Sequence, residues 1–264
     1  MVVYARQRHP MSERKACQIV GISRSVNRYQ RKRPNDKDIG KSLKELAEKK
    51  PRWGFGKMRD YLKNKGRSWN HKRIRRIYRE MGLNIRVKPR KRLPVRSPRP
   101  LEQPERADQS WSLDFMSDNL ESGRTFRTLN IMDDFNREAL CIEIDTSLPA
   151  LRVIRMLDML ASWRGYPEQL RIDNGPELTS RVLAEWAEAH QVTLAFIEPG
   201  KPAQNGYIER FNRTYREEIL DAYLFSSLSE AREITEAWME EYNAIRPHES
   251  LQGLPPYSFV EQNT

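Results

Sequence analysis

The sequence predicts an α/β catalytic unit behind a basic, all-helical region, and three observations predict it. Residues 1–106 hold 33 Lys+Arg against 9 Asp+Glu, a balance of +24, whereas residues 107–264 hold 14 against 27, a balance of −13. In the basic part apolar residues recur every three or four positions; the acidic part opens with three short alternating runs and then mixes strands with helices. Three acids of that second part, Asp114, Asp173 and Glu209, fall on separate elements, with 35 residues between the last two.

Ser12 caps a first helix through Val20, Gly21 breaks it, and Ser23 caps a second reaching about Gln30, a helix-turn-helix segment within residues 1–33. Ala16, Ile19, Val20, Ile22 and Val26 are its expected core, leaving Arg24, Asn27, Arg28 and Gln30 to face a groove or phosphates. A plain helical hairpin fits the same pattern. A second helical subdomain, residues 38–83, carries three apolar stripes: Leu43, Leu46 and Ala47; Met58, Tyr61 and Leu62; then Ile74, Ile77, Tyr78 and Met81 on a helix capped by Asn70 and ended by Gly82. That third helix points Lys72, Arg73, Arg75, Arg76 and Arg79 outward, a run suited to phosphate contacts that position without reading sequence. Trp53, Phe55 and Trp69 either complete this small core or stack on bases. Residues 84–107 alternate prolines with Lys and Arg and form an extended basic linker.

A net charge of +11 concentrated with helix-turn-helix patterns points to nucleic acid. A membrane partner fits poorly, because no basic stretch carries a wide apolar stripe and no apolar run approaches the roughly 18 residues of a spanning helix. The first residues lack the apolar core of a secretion signal. Cys17 and Cys141 lie far apart, on a helix and a strand, which supports neither a disulfide framework nor a zinc site and fits a reducing cytoplasm.

The acidic unit, residues 108–264, reads as strands at 111–116, 126–132 and 140–144, a helix at 150–164, a strand at 169–172, a helix at 181–190, a strand at 193–197 and a helix from about Tyr207. Three antiparallel strands, a helix, a parallel strand, a helix, a fifth strand and a helix is the order of a ribonuclease-H-like core.

Asp114 sits in its strand with Leu113 and Phe115 pointing to the opposite face. A mid-strand carboxylate is costly to bury alone, and a metal ion supplies the missing partner; an edge strand with Asp114 in solvent is the alternative. Asp173 begins Asp-Asn-Gly, a tight-turn sequence, yet it also ends a strand just before a helix, where α/β sites gather. Glu209 flanks the stripe Ile208, Phe211, Tyr215 and Ile219, with Arg213 and Arg216 on its side; a surface Glu209–Arg213 pair competes with a functional role. Carboxylates converging from separate elements suit a hard cation such as Mg²⁺ and phosphoryl transfer. Asp118, Asp133, Asp134 and Glu177 compete for the same roles, Asp133 and Asp134 most seriously. Lys201, Gln204 and Asn205, in the loop before the last of these helices, are placed to touch DNA or form an ordinary polar loop. Tyr242, Asn243, Arg246 and His248 precede a C-terminal helix, His248 as a structural residue.

The motifs Trp-Ser-Leu-Asp-Phe around Asp114, Arg-Ile-Asp-Asn-Gly-Pro-Glu around Asp173, Gln-Asn-Gly-Tyr-Ile-Glu-Arg-Phe-Asn around Glu209 and the late Tyr-Asn-Ala-Ile-Arg-Pro-His resemble the integrase-core (DDE) transposases of bacterial insertion sequences. The closest likeness is to OrfB of the insertion-sequence-three family, and it extends to the helical part. The resemblance implies that Asp114, Asp173 and Glu209 are the catalytic and metal-binding triad and Arg216 the basic residue seven positions beyond its Glu. It implies two Mg²⁺ or Mn²⁺ ions, water-driven cleavage at a transposon end, and attack of the freed 3′-hydroxyl on another phosphodiester. Implied partners are double-stranded DNA of the terminal inverted repeats and target, a second copy of the chain, and an upstream OrfA product fused by frameshifting; the implied place is the bacterial nucleoid. Arg210 and Arg213 stand where the family often has Ser and Gly, a departure that adds positive charge beside Glu209. The rival readings are a DNA-binding regulator with an inactive core and a ribonuclease acting on RNA–DNA hybrids.

Overall fold

The computed structural model describes residues 1–29, 36–85, 103–198 and 202–263, without the side chains of Pro202 and Ala203. Contacts divide the chain into Met1–Lys41 and Ser42–Thr264.

The first unit holds α1 (Val2–Arg8), α2 (Glu13–Val20) and α3 (Arg24–Arg28). Ser12 and Ser23 accept hydrogen bonds from the backbone N–H groups of Lys15 and Val26, and Gly21 takes the left-handed conformation, φ 72°, that stops α2. The core departs from expectation. Val2, Ala16 and Cys17 are buried, with Ala5, Met11 and Val20 against them, while Ile19 and Val26 are each 63% exposed and Ile22 is also exposed. The cause is α1, a helix the apolar periodicity does not announce, which claims the Ala16–Cys17 face. Asn27 is half-buried, while Arg28 faces solvent with 66% of its side chain exposed. Both donate to Glu13, closing α3 onto α2, and the Arg28 guanidinium holds the Glu13 carboxyl down at about 2. Arg24 is exposed, and Gln30 lies outside the described residues.

Helix α4 (Lys37–Lys49) runs across the division, followed by α5 (Phe55–Asn64) and α6 (His71–Glu80). Leu43, Met58, Leu62, Ile74, Ile77 and Tyr78 are buried as their spacing predicts. Trp53 is buried with its ring 5.7 Å from Tyr61, and Phe55 meets Tyr78 at 5.5 Å, so both are core aromatics; Trp69 lies under the Arg67 guanidinium. Met81 is 37% exposed, because it is the C-cap of α6 and the chain turns at Gly82.

The second unit is built on a five-stranded sheet: β1 (Ser110–Asn119), β2 (Thr125–Asp133), β3 (Ala139–Asp145), β4 (Gln169–Ile172) and β5 (Thr193–Phe196), in the order β3-β2-β1-β4-β5. β2 pairs antiparallel with β1 and β3, whereas β4 runs parallel to β1 and β5. Helices α7 (Ala150–Arg164) and α8 (Arg181–Ala189) cover one face through Leu113, Phe115, Leu129, Ile131, Val153, Leu157 and Leu183. Helices α9 (Gly206–Tyr215) and α10 (Leu228–Ala244) cover the other through Met116, Phe126, Ile144, Ile208, Phe211, Tyr215 and Trp238. Period-two alternation along β1 thus sends Asp114 and Met116 toward α9 and their neighbours toward α7.

α9 ends in a π-helical turn, Arg216–Leu220, and α11 (Pro256–Asn263) closes the chain. Tyr242 and Asn243 lie within α10, where Asn243 donates to and accepts from the backbone of Ala139 at 2.9 Å each way, completing the start of β3. The helical part of this unit docks close by: Asn64 Nδ2 donates to Gly253 O at 2.8 Å. Gly253 has φ 83°, and a Cβ there would stand 3.0 Å from the Asp60 carboxyl carbon, so approach and conformation both require glycine.

Candidate active site

Asp114 occupies the middle of the central strand. β1 pairs in parallel with β4 as far as Ser112↔Arg171, and Asp114, two residues beyond, feels the charge of Asp173 just past the end of β4. One Asp114 oxygen accepts from the backbone N–H of Phe115 at 2.8 Å and the other from Asn212 Nδ2 at 2.7 Å. Asn212 in turn accepts from Asn130 Nδ2 at 2.6 Å, and Asn130 is the cross-strand neighbour of Asp114. Burial pushes Asp114 up to about 6, helped by the charges of Asp173 and Glu209 and opposed by its two donors.

Asp173 ends β4 and also makes the turn its sequence advertises, its Oδ1 accepting from Gly175 N at 2.9 Å. A Cβ at Gly175 would lie 2.9 Å from that oxygen, so glycine keeps the turn tight. Asn174 donates to Ile197 O at 2.9 Å, tying the turn to the segment after β5. Glu177, farther along the turn, pairs with Arg127, whose guanidinium lies 4.5 Å over the Phe115 ring. Glu209 is exposed in the first turn of α9, a helix anchored by Ile208, Phe211, Tyr215 and then Ile219. No Glu209–Arg213 ion pair forms among the described residues. Asp114 therefore feels both other acids, yet no three Asp, Glu, His or Cys side chains among the described residues gather as closely as a bound ion requires.

The rival acids have other work. Asp133 accepts from the backbone N–H groups of Asp108 and Phe135 at 2.8 Å each, and Asp134 accepts from Ser110 and Ser112 and pairs with Arg171 at 2.8 Å. Both are fully buried, at or beyond the Trp111 end of β1, whereas Asp114 lies in mid-strand. Asp118 pairs with Arg216 at 3.3 Å.

The expected DNA contacts scatter. Arg213 is exposed, but Arg216 is half-buried and donates to Ser117 O at 2.8 Å as well as to Asp118. Gln204 accepts from the N–H of Glu198 and donates to its carboxylate, closing the loop on itself. Asn205 is only 3% exposed at the start of α9, and its Oδ1 has no hydrogen-bond partner. Lys201 lies outside the described residues. On α6, Lys72 is exposed, Arg73 is half-buried and Arg76 pairs with Glu80 at 3.0 Å. Sequence reasoning missed Asn130, Asn212 and Arg127. The available signal was an asparagine three residues beyond Glu209, adjacent to the buried Phe211, and another inside the apolar run of β2.

Similarity to known proteins agrees with this architecture. The family described as Integrase core domain matches residues 104–202 and, in a second form, 190–256; the HTH-like domain family matches residues 34–92. The insertion element IS407 uncharacterized 31.7 kDa protein of Burkholderia multivorans is 42% identical over 98% of this chain and 94% of its own length. The IS476 uncharacterized 39.2 kDa protein of Xanthomonas euvesicatoria is 39% identical over 95% and 73%. A third relative, the putative transposase InsK of IS150 from Escherichia coli, is 24% identical over 85% and 83%. With an HTH-like region ahead of an integrase core on a ribonuclease-H-like sheet, and relatives of this identity along nearly its whole length, the chain belongs to the insertion-sequence-three family of integrase-core transposases.

Proposed function

We propose that Asp114, Asp173 and Glu209 are the catalytic, metal-binding residues with which this transposase cuts and joins DNA at the ends of its insertion element. The observation that carries the reading is Asp114: a carboxylate fixed in mid-sheet, near enough to Asp173 and Glu209 to feel their charges, with no cation paired to it among the described residues. The donor chemistry suits a hard divalent ion, although among the described residues the three side chains do not stand within reach of one ion. All three donors are carboxylate oxygens, and a cation would offset the cost of burying the Asp114 charge, which with the charges of Asp173 and Glu209 lifts that carboxyl to about 6. Two Mg²⁺ or Mn²⁺ ions, when held there, supply charge stabilisation at the attacking and leaving oxygens of a phosphodiester.

The chain's own residues prepare that chemistry. Asn130 and Asn212 hold the Asp114 carboxylate in one orientation, and Asn212 lies one turn from Glu209, so the central strand and α9 are set by one hydrogen-bonded chain. The Asp173 turn is fixed from both sides by Gly175 and Asn174. Arg210 and Arg213 are exposed beside Glu209 and offer cations to the phosphates flanking the cut. The helical residues 38–83, with Lys72 on α6, and the basic linker 84–107 grip double-stranded DNA of the terminal repeats, while residues 1–33, where Arg24 is free of the clamp that occupies Arg28, extend the grip. Two ends must be held together, which calls for at least two copies of the chain, and a frameshift fusion with an OrfA product adds further DNA contacts. Among the described residues no helix is long and apolar enough to cross a membrane, consistent with work at the nucleoid.

The test is to incubate the protein and labelled terminal-repeat DNA with Mg²⁺ or Mn²⁺, beside Asp173→Asn. Metal-dependent cutting and joining by the wild type alone is expected. Equal activity from both proteins would sink the assignment.

A further inference from the structure

A second cluster of charge lies on the α10 side of the sheet, and its sign is opposite. Arg137 and Arg246 are 7% and 5% exposed, yet Arg137 Nη1 and Arg246 Nε have no hydrogen-bond partner, and neither does the buried Nε2 of His248. Each buried donor left without an acceptor costs about 1–3 kcal/mol, so three in one region require an explanation. They share surroundings. The His248 and Tyr242 rings are 4.8 Å apart, and the Arg246 guanidinium lies 5.7 Å from the same tyrosine. Burial first, and then the charges of Arg246, Lys57, Arg210 and Arg137, hold the His248 imidazole neutral, well below its ordinary range. Burial and Arg246 likewise push Lys57 down to about 8.

The carboxylates nearby are already engaged: Asp134, which feels the charge of Arg137, is held by Ser110, Ser112 and Arg171. Glu218 is occupied by Arg246 Nη2 at 2.7 Å and by the Trp238 indole N–H at 3.0 Å. Arg137 forms no ion pair among the described residues; its guanidinium instead stacks 3.5 Å from the Tyr207 ring. Its backbone is strained as well, with φ 62°, in the left-handed region that favours glycine or asparagine. An arginine kept buried, strained and half-satisfied is explained by an acceptor that arrives from outside.

We propose that Lys57, Arg137, Arg210, Arg246 and His248 form a phosphate-binding site separate from the carboxylate centre, and that its ligand is a backbone phosphodiester of DNA. The chemistry is that of charge-assisted donors, the Lys57 ammonium and the guanidinium groups of Arg137, Arg210 and Arg246, around a multi-oxygen anion, with the neutral His248 ring beside them. Access is from the side of Arg210, which is exposed, and of half-buried Lys57 on α5. Arg210 directly follows Glu209, so one phosphate held here fixes the DNA relative to the catalytic helix and to the helical module that carries Lys57. The DNA identity of the ligand rests on the transposase reading above; the anion site itself does not.

Inorganic phosphate is the first probe, titrated into the full-length protein with EDTA present and ionic strength held with chloride, while the unfolding temperature is followed. Saturable stabilisation is expected for the wild type. Arg137→Gly takes the same backbone angle without strain and so folds, but is expected to bind phosphate roughly 10- to 100-fold more weakly, the loss of a hydrogen bond to a charged group. Equal response to phosphate in the two proteins, or a wild-type response no greater than to chloride, overturns the site. Short duplex DNA is then added: competition with phosphate supports the phosphodiester, and undiminished phosphate binding overturns it in favour of a free anion. Asp173→Asn is expected to bind phosphate like the wild type, which separates failure here from failure of the catalytic assignment.

Discussion

Two groups of acids sit along one strand pair, one at its Trp111 end and one at mid-strand, and lead opposite lives. Asp133 and Asp134, at the Trp111 end of β1, are wholly buried and fully engaged by two backbone N–H groups, two serine hydroxyls and Arg171. Asp114, beside the end of β4, has two neutral donors and no cation, and it faces two further carboxylates. A carboxylate whose oxygens are matched by the fold serves the fold. One that the fold positions and then leaves uncompensated is available to a ligand, and burial alone does not tell the two apart.

Substitution should separate the clusters cleanly. Asp114→Asn is expected to lower DNA cutting and joining by about 10³-fold or more with the circular dichroism spectrum unchanged. Next in size, Asp134→Ala strands the buried Arg171 without its counter-charge and is expected to cost about 3–5 kcal/mol in urea unfolding; a loss under about 1 kcal/mol would place Asp134 outside the structural cluster. Asn212→Ala frees the Asp114 carboxylate, and a Mn²⁺ titration of activity is expected to show metal affinity weakened about 10- to 100-fold. An unchanged titration midpoint would remove Asn212 as a positioning residue.

The smallest effect is the most diagnostic. The folded-state value of Asp114, about 6, exceeds its ordinary 3.8, so its contribution to stability is complete below 3.8 and is lost as pH rises through about 6. In EDTA at pH 8, Asp114→Asn is therefore expected to be more stable than the wild type, by on the order of 1–3 kcal/mol, with the gap closing below pH 4. Activity runs the other way, falling in the wild type as pH drops below about 6 and Asp114 takes up a proton.

Most of the sheet was legible in advance because its strands are short, alternating and punctuated: β4 and α7 fall at the residues their patterns marked. Helix caps at Ser12, Ser23 and Asn70 were legible for the same reason, since a cap is a local event. What stayed hidden depends on distant partners. The apolar positions Ile19 and Val26 look like core until α1 takes their place, and Asn27 looks like a reader of a groove until Glu13 meets it. Asn130 and Asn212 carry no meaning until residues 82 apart in sequence lie 2.6 Å apart. The late Arg-Pro-His motif could be recognised but not interpreted, because its unpaired nitrogens become visible only once the loop is folded against Tyr242.

The place of β1 at the centre of the sheet also orders events in time. Its antiparallel neighbour β2 follows at once in the chain, but β4 begins only at Gln169 and α9, with Asn212 and Glu209, later still. A ribosome can release the β1–β2–β3 meander to form on its own, whereas Glu209 comes near Asp114 only after more than two hundred residues have emerged and long-range pairing, the slow part of such a topology, is finished. On the proposed reading, a chain broken off during synthesis is expected to fold in part and to lack the activity assigned to the three carboxylates.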